Sequence, residues 1–559
     1  MPHQPPLPAP SPCILHCGID ESLRCSGCKR TGRQIAAWTG LSDEERWRII
    51  LEPGSPPSGI LDPMSTVEKL KDRLFEVNAL HAAINIMDWD QQVLMPRGGS
   101  EARAAHVGIL SRMAHEIFTD EKTGKLIDQA GGEVDPMSEE GVMVKVAKRD
   151  LDLSTKIPSE LVGRKSELAS IAHEKWVEAR ADNNFAGFAP VLQQMFDIAK
   201  EEAEYLGYTD NIYDALLDQY EEGATAADCT RMFETLKAPT VQLVREIKEN
   251  GKPVDDSAFY GNWDEAAQRD FSVKITTAIG YDYNRGRLDT APHPFCTGWS
   301  VNDVRLTTRY KDYLGSAIFG SLHEAGHGMY EQGSPTKWDR TPLAGGTSLG
   351  VHESQSRTWE NIVGRSKAFW QWALPDLQAA FPSMSNYSLN DFYRMINKVE
   401  PSLIRVEADE LTYNLHVMIR FEIECDILTG KLAILDLPHA WNAKYEEYLG
   451  VTPDSDKNGC LQDVHWSMGS IGYFPTYSMG NLLSYQFWTA MKKDIPNPDE
   501  LMAQGNFAPI HNWLREHIYA KGRSMSPKNL VQHVTGKPIG ADDYVSNLHA
   551  KYREIYGLS

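Results

Sequence analysis

Ser316-Ala-Ile-Phe-Gly-Ser-Leu-His323-Glu324-Ala-Gly-His327-Gly-Met-Tyr-Glu331 is the stretch from which the fold of this 559-residue chain can be interpreted. Its pattern predicts one amphipathic helix that ends near Gly333. In a helix, side chains four residues apart lie on one face, so the imidazoles of His323 and His327 can bind the same metal ion. Glu324 then lies beside the ion, where it can act as a base rather than as a ligand.

A second acidic motif, His352-Glu353-Ser354-Gln355, can supply the third ligand. A catalytic zinc ion has three protein ligands and one open position for water. Glu353 opens another predicted helix, which can lie against the first. His352 is the alternative ligand, but neighbouring helical residues point about 100° apart, so only one of the two should face the ion. We choose Glu353. A third histidine six residues beyond His327 is excluded, because Gly333 occupies that position.

Composition and charge exclude several classes of protein. The chain has 42% hydrophobic residues and no apolar run long enough to cross a bilayer. Its net charge of −21 disfavours nucleic acid and anionic lipid as partners, and it most simply keeps the protein soluble. The N-terminus lacks the basic and then apolar segments of an export signal, so we expect a cytoplasmic protein. The scattered cysteines, Cys229, Cys296, Cys425 and Cys460, are then expected to be free.

The sequence divides into a small module, a linker and one large domain. We expect a cysteine-rich module over residues 1–52, a Pro/Gly/Ser linker over 53–63 and a domain over 64–559. Residues 1–60 have no net formal charge, so the rest of the chain carries all of the excess acid. Capping-box spacing in Ser65-Thr-Val-Glu68 predicts that the domain starts with a helix.

The large domain is predicted to be mainly α-helical. Long segments rich in Ala, Leu, Glu and Lys lie around residues 101–131, 139–154, 158–181, 186–206 and 226–249. The clearest strand is Val304-Arg-Leu-Thr-Thr-Arg309, just before the metal helix. A short strand there would offer its edge to an extended peptide, although an ordinary loop is an equal alternative.

Two later segments supply candidates for stabilising negative charge in a transition state. They are Gly459-Cys-Leu-Gln-Asp-Val-His465-Trp and Gly472-Tyr473-Phe-Pro-Thr-Tyr477. His465 and Tyr473, or Tyr477 in place of Tyr473, could each donate a hydrogen bond to a developing oxyanion. A purely structural role for these aromatic residues is the alternative.

Five ordered motifs resemble those of the thermostable carboxypeptidase (carboxypeptidase Taq) family, peptidase family M32. They are Asp303-Val-Arg-Leu-Thr307, His323-Glu-Ala-Gly-His327, His352-Glu-Ser-Gln355, Ile404-Arg-Val-Glu-Ala-Asp409 and Gly459-Cys-Leu-Gln-Asp-Val-His-Trp466. The resemblance covers about residues 64–559. It implies a mainly helical, two-lobed fold with a deep cleft and a small sheet beside the metal helix. It also implies a metal-dependent carboxypeptidase of broad preference, usually a homodimer.

A carboxypeptidase must bind a free C-terminal carboxylate, which arginine does with a planar pair of donors. Arg405 is our first choice and Arg305 the second. Either could instead form an internal ion pair, with Asp409 or Asp303 respectively.

Peptides with a free C-terminus are therefore the expected substrates, and zinc or cobalt the expected ion. An oligopeptide endopeptidase and an inactive metal-stabilised binding protein are the rival functions.

The N-terminal module resembles a small cysteine-rich domain of unknown function. Four of its residues, Cys13, Cys17, Cys25 and Cys28, could hold a second zinc ion or an iron–sulfur cluster, because so short a segment lacks a core of its own. Free or redox-active thiols are the alternative.

Overall fold

The computed structural model describes residues 64–558 and, before them, Arg46 alone. Apart from Arg46, the cysteine-rich module and the linker therefore lie outside the described residues. By contacts between Cα atoms the chain divides into two units, residues 1–72 and 73–559. Every candidate site residue of the large domain belongs to the second unit. No helix within the described residues is long and apolar enough to cross a membrane.

The described chain is mainly helical, as the sequence predicts. The first helices are α1 (Thr66–Val93), α2 (Ser100–Thr119), α3 (Glu121–Glu133), α4 (Glu139–Lys156), α5 (Ser159–Asp182), α6 (Phe185–Leu206), α7 (Ile212–Leu217), α8 (Ala226–Asn250) and α9 (Glu265–Ile279). Those around and beyond the metal motif are α10 (Gly315–Gly333), α11 (Leu349–Arg357), α12 (Lys367–Ala380), α13 (Leu389–Met395), α14 (Tyr413–Leu428), α15 (Leu437–Leu449), α16 (Pro475–Asp494), α17 (Pro498–Ala503), α18 (Ala508–His517), α19 (Pro527–Thr535) and α20 (Asp542–Tyr556).

Local capping explains where several of these helices begin. The predicted capping box is present before α1, since the amide of Glu68 donates to Ser65 Oγ at 3.2 Å and the amide of Ser65 donates to the Glu68 carboxylate at 3.0 Å. The helical segment predicted around residues 101–131 consists of two helices, α2 and α3. Asp120 ends the first and caps the second, accepting a hydrogen bond from the amide of Lys122 at 3.1 Å.

A three-stranded sheet precedes the metal helix. Its strands are β1 (Leu288–Thr290), β2 (Cys296–Ser300) and β3 (Asp303–Thr308), in the order β1-β3-β2. The strand predicted at residues 304–309 is thus confirmed as β3, but the expectation that it offers a free edge is wrong. It pairs in parallel with β1 and antiparallel with β2, so it is the central strand and its backbone groups are used on both sides.

The metal helix α10 lies in the core of the domain. It packs against β3 on one side and α11 on another, and most of its residues are buried. Gly326 allows α11 to come close, because a Cβ atom there would lie 2.6 Å from the carbonyl oxygen of Gln355. Gly480 does the same for α16, because a Cβ atom there would lie 2.4 Å from Cγ of Glu353 on α11. The two glycines let α11 pack closely between α10 and α16.

Candidate metal centre and active site

His323, His327 and Glu353 converge on one point. The Nε2 atoms of the two histidines are 3.3 Å apart. Oε2 of Glu353 lies 3.6 Å from Nε2 of His323 and 3.4 Å from Nε2 of His327. Two ligands that each bind a tetrahedral zinc ion at roughly 2.0–2.1 Å are about 3.3 Å apart, so this spacing fits a small divalent ion. The donor set of two imidazoles and one carboxylate is also typical of catalytic zinc.

Each histidine is oriented by a second hydrogen bond on its Nδ1 atom. Nδ1 of His323 lies 2.9 Å from Oε2 of Glu360. Nδ1 of His327 lies 2.6 Å from Nδ1 of His352, whose own Nε2 lies 2.7 Å from Oε1 of Glu331. Such contacts fix the tautomer and leave both Nε2 atoms facing Oε2 of Glu353. His352, the alternative ligand, therefore lies behind His327.

Arg357 holds the acidic groups of this centre in their charged form. Its Nε donates to Oε1 of Glu353 at 2.7 Å, and its Nη1 donates to Oε2 of Glu360 at 3.2 Å. Burial alone would raise the pKa of Glu353, but the guanidinium of Arg357 and the nearby His323 hold it well below its usual range. Against the same cost of burial, Arg357 and His323 lower the pKa of Glu360 to about 2. The carboxylate of Glu353 is thus ionised, as a candidate metal ligand must be.

Glu324 lies on α10 between the two histidines and is buried, with 6% of its surface exposed. Burial raises the pKa of its carboxyl to about 7, with His323 acting in the opposite direction. A carboxylate whose pKa lies near neutrality can accept a proton and later return it at ordinary pH. This is the property required of the predicted base.

The predicted oxyanion donors form an aromatic cluster. Nε2 of His465 lies 3.3 Å from the hydroxyl of Tyr477, and the rings of Tyr473 and Tyr477 pack edge to face at 5.2 Å. Burial lowers the pKa of His465 to about 4, so its imidazole is neutral and retains one N–H donor. Burial also raises the pKa of both phenols, and the charge of Glu353 raises them further. Both tyrosines therefore keep their hydroxyl proton.

Arg405 is buried, with 4% of its surface exposed, and is held in a network of side chains. Its Nε donates to Oδ1 of Asp463 at 3.1 Å, and its Nη1 donates to the hydroxyl of Tyr413 at 2.8 Å. The guanidinium carbon lies 4.9 Å from the ring centre of Tyr477. An arginine has five N–H bonds, so this network leaves some for a ligand.

The sequence suggested Asp409 as a possible internal ion-pair partner of Arg405, and this expectation is wrong. Asp409 does not pair with Arg405. It accepts hydrogen bonds from the amides of Glu400, Leu411 and Thr412 instead. Oδ2 of Asp463, the actual partner, accepts a further bond of 2.6 Å from Arg420.

Arg305 has the internal partner that the sequence suggested. Its Nε and Nη2 donate to the two carboxylate oxygens of Asp303 at 2.9 and 3.0 Å. Its guanidinium carbon also lies 4.4 Å from the ring centres of both Trp89 and Trp299. One edge of this guanidinium is therefore bound to Asp303 and two indole rings lie against it, just as the Nε and Nη2 edge of Arg405 faces Asp463. What distinguishes Arg405 is its contact with Tyr477 of the predicted donor cluster.

Sequence reasoning missed the groups that support the metal ligands. Arg357 follows Glu353 by four residues, a spacing that commonly pairs opposite charges on a helix and could have been recognised. Glu360 is brought back to His323 by a π-helical turn, Thr358–Val363, that no local signal predicted. Gln462 and Asp463 of the last motif both contact Arg405. Gln462 accepts from the amide of Arg405 at 2.9 Å, so both residues support the arginine.

The four scattered cysteines are free, as predicted, and Cys229 and Cys460 are buried.

Comparisons with known proteins match the two parts of the chain separately. The sequence model of the carboxypeptidase Taq (M32) metallopeptidases matches residues 69–552, and that of a protein family of unknown function, DUF1289, matches residues 11–53. Thermostable carboxypeptidase 1 of Thermus thermophilus is 41% identical over 482 residues, covering 84% of this chain and 94% of that protein. Carboxypeptidase 1 of Bacillus subtilis is 39% identical over 491 residues, covering 87% and 98%.

Solved structures agree with these matches. The crystal structure of an M32 carboxypeptidase from Deinococcus radiodurans has a TM-score of 0.86 at 39% identity, covering 88% of this chain and 100% of that one. A carboxypeptidase structure from Pyrococcus furiosus has a TM-score of 0.85 at 38% identity, covering 87% and 99%.

Proposed function

Because this chain belongs to the carboxypeptidase Taq (M32) family and is a metallocarboxypeptidase, we propose that His323, His327 and Glu353 hold its metal ion and that Glu324 is its general base. The carrying observation is the convergence of the three ligand atoms within 4.8 Å of one another, with Glu324 adjacent on α10. A divalent ion supplies Lewis acidity, which acidifies a water molecule and polarises a peptide carbonyl. Zinc is our first choice of ion and cobalt the second, since both suit two imidazoles and a carboxylate.

The remaining steps are assigned to side chains of the chain itself. Glu324 takes a proton from the attacking water and delivers it to the leaving amine, in keeping with its pKa near neutrality. His465 and Tyr473, or Tyr477 in its place, donate hydrogen bonds to the negative charge that develops on the carbonyl oxygen. Their preserved protons at neutral pH support that role.

Arg405 binds the free carboxylate of the terminal residue. It is supported by its position against the aromatic ring of Tyr477 and by the network of Asp463 that holds it in place. Arg305 is the second candidate. Peptides with a free C-terminus are then the substrates, and their C-terminal residues are removed one at a time.

Mass spectrometry of a mixed peptide pool incubated with the purified protein tests this function. We expect ladders shortened from the C-terminus, no cleavage of C-terminally amidated copies, and loss of cleavage on chelation. Internal cleavage that ignores amidation would indicate the rival endopeptidase. Bound metal without any cleavage would indicate the inactive binding protein.

A homodimer and a cytoplasmic location complete the proposal. The homodimer follows from the family resemblance, and light scattering after gel filtration tests it with a mass near twice 62.7 kDa. Cell fractionation tests the location.

A further inference from the structure

Glu424 of α14 is fully buried and accepts hydrogen bonds from two distant segments. The hydroxyl of Tyr213 donates to its Oε2 at 2.7 Å. The indole Nε1 of Trp466 donates to its Oε1 at 2.7 Å, and the amide of Gly472 donates to its Oε2 at 3.2 Å. Both oxygens of this carboxylate are therefore bonded to the segment 465–473.

The two donors from that segment stand next to the proposed oxyanion donors. His465 immediately precedes Trp466, and Tyr473 immediately follows Gly472. Gly472 has φ of +90°, and a Cβ there would lie 2.9 Å from the backbone carbon of Leu216. The chain between His465 and Tyr473 is thus held at both ends by one side chain, with its second end pressed against α7.

The chemistry of these contacts requires a carboxylate. The indole N–H of Trp466 and the amide N–H of Gly472 can only donate, and they approach different oxygens of Glu424. A carboxamide has one oxygen and one NH2 group. In place of the carboxylate it can therefore accept from only one of these two N–H groups, and its own NH2 group would face the other. Within the described part of the chain Glu424 forms no ion pair, and its burial raises its pKa to about 7. An unpaired acid is costly to bury, and such groups are concentrated at functional sites.

We propose that Glu424 is a positioning residue, which sets the location of His465 and Tyr473 by anchoring Trp466 and Gly472. It does not touch the substrate. This inference rests on the proposed roles of His465 and Tyr473, and it adds a residue that lies outside the five motifs.

Glu424→Gln is the main test, and Tyr213→Phe is its matched control. The first variant preserves shape but loses one of the two loop contacts. The second removes a bond from the same carboxylate and leaves both loop contacts in place. We expect Glu424→Gln to lower kcat about 100-fold, as a misplacement near 1 Å does, with KM within threefold of wild type and metal content unchanged. Tyr213→Phe should keep kcat within threefold, even where its melting temperature falls equally.

A merely structural role predicts that the two variants lose activity in proportion to stability, and that result would overturn the inference. A double variant supplies the second readout. If Glu424 acts through the loop, adding Glu424→Gln to His465→Ala should lower kcat by much less than the product of the single effects. If the double variant instead shows the full product of the two single effects on kcat, the inference is contradicted. Should Glu424→Gln not fold, Trp466→Phe removes one anchor with the carboxylate intact, and unchanged kcat there would equally overturn the inference.

The failure of the proposed function gives a different result. If His465→Ala and Tyr473→Phe both keep wild-type kcat, the oxyanion roles of His465 and Tyr473 are wrong whatever Glu424 does. The anchoring is then judged by the crystal structure of Glu424→Gln. A shift of about 1 Å or more, or two alternative paths, for residues 465–473 supports it, and an unmoved loop refutes it.

Discussion

At the scale of single residues, the proposed chemistry depends first on Glu324. Glu324→Gln keeps the size of the side chain but removes the proton acceptor beside the metal ligands. We expect kcat to fall about 10²–10⁴-fold, the range for losing a general base. Metal content measured by elemental analysis should stay at the wild-type value, because Glu324 is not a ligand. Wild-type turnover in this variant would exclude it as the base.

Arg405 is the residue on which end specificity depends. Arg405→Lys retains the charge but loses the planar pair of donors. A charge-assisted hydrogen bond is worth about 1.5–3 kcal/mol, so KM for peptides with a free C-terminus should rise about 10–100-fold. Arg305→Lys is the matched control, and a smaller effect is expected because Arg405, rather than Arg305, lies against Tyr477 of the proposed donor cluster. The reverse order of effects in steady-state kinetics would transfer the role to Arg305.

At the scale of secondary-structure elements, a buried acid supports the helix that carries Glu353. The carboxylate of Glu221 accepts from the hydroxyl of Ser348 and from the amide of Gly350, both at 2.9 Å, at the start of α11. This is the position at which a helix favours negative charge. Burial nevertheless raises the pKa of Glu221 to about 7 from its ordinary 4.5.

That shift predicts a pH dependence of stability. An acid whose pKa is higher in the folded protein binds more protons there, so its contribution to the free energy of unfolding falls as pH rises from about 4.5 to 7. Glutamine cannot ionise, so the stability of Glu221→Gln relative to wild type should increase over this range, by up to about 3 kcal/mol. Denaturant unfolding of both proteins at several pH values measures it. A difference that is constant with pH would contradict the raised pKa.

The elements that the sequence predicted well are those with local determinants. The two histidines of α10 lie one turn apart on a single helix, so their convergence needs no knowledge of the rest of the fold. The capping box of Ser65 and Glu68 is equally local and is present. The central strand β3 was predicted as an edge, because nothing in its own residues shows that β1 and β2 cover both sides.

Contacts between residues far apart in the chain could not be predicted from the sequence. Asp463 binds Arg405 across 58 positions of the chain, and Tyr213 binds Glu424 across 211. No periodicity or spacing connects such pairs, since only the folding of the whole domain brings them together. Glu424 and Glu221 therefore passed unnoticed, whereas Arg357, four residues from its partner Glu353, could have been found.

At the scale of the whole molecule, the metal should contribute to stability as well as to activity. Without an ion, Glu353 and the two imidazoles lose a shared partner in a buried site. A ligand that binds only the folded state, at 100 times its Kd, adds about 2.7 kcal/mol to the free energy of unfolding. Chelation should therefore lower Tm and abolish cleavage, and added zinc or cobalt should restore both. An unchanged Tm and rate after verified removal of metal would contradict the proposed centre.

The division of the chain predicts that the large domain works alone. All proposed ligands of the catalytic metal, the donors and the substrate-binding residues lie between Arg305 and Tyr477, within the unit of residues 73–559. A chain that begins at Met64 keeps the capping box of α1 and removes the cysteine-rich module and the linker. We expect it to fold and to keep kcat/KM within threefold of the full chain on short peptides.

Elemental analysis of the two proteins then assigns the metals. One ion per chain in the shortened protein, and a further zinc or iron only in the full chain, would support metal binding by Cys13, Cys17, Cys25 and Cys28. Replacing those four cysteines by serine in the full chain should remove the further metal and leave cleavage intact. Equal metal content in both proteins would instead favour free thiols in the module. A shortened chain that folds but does not cleave peptides would show that the module contributes to catalysis, which the position of the proposed site residues does not predict.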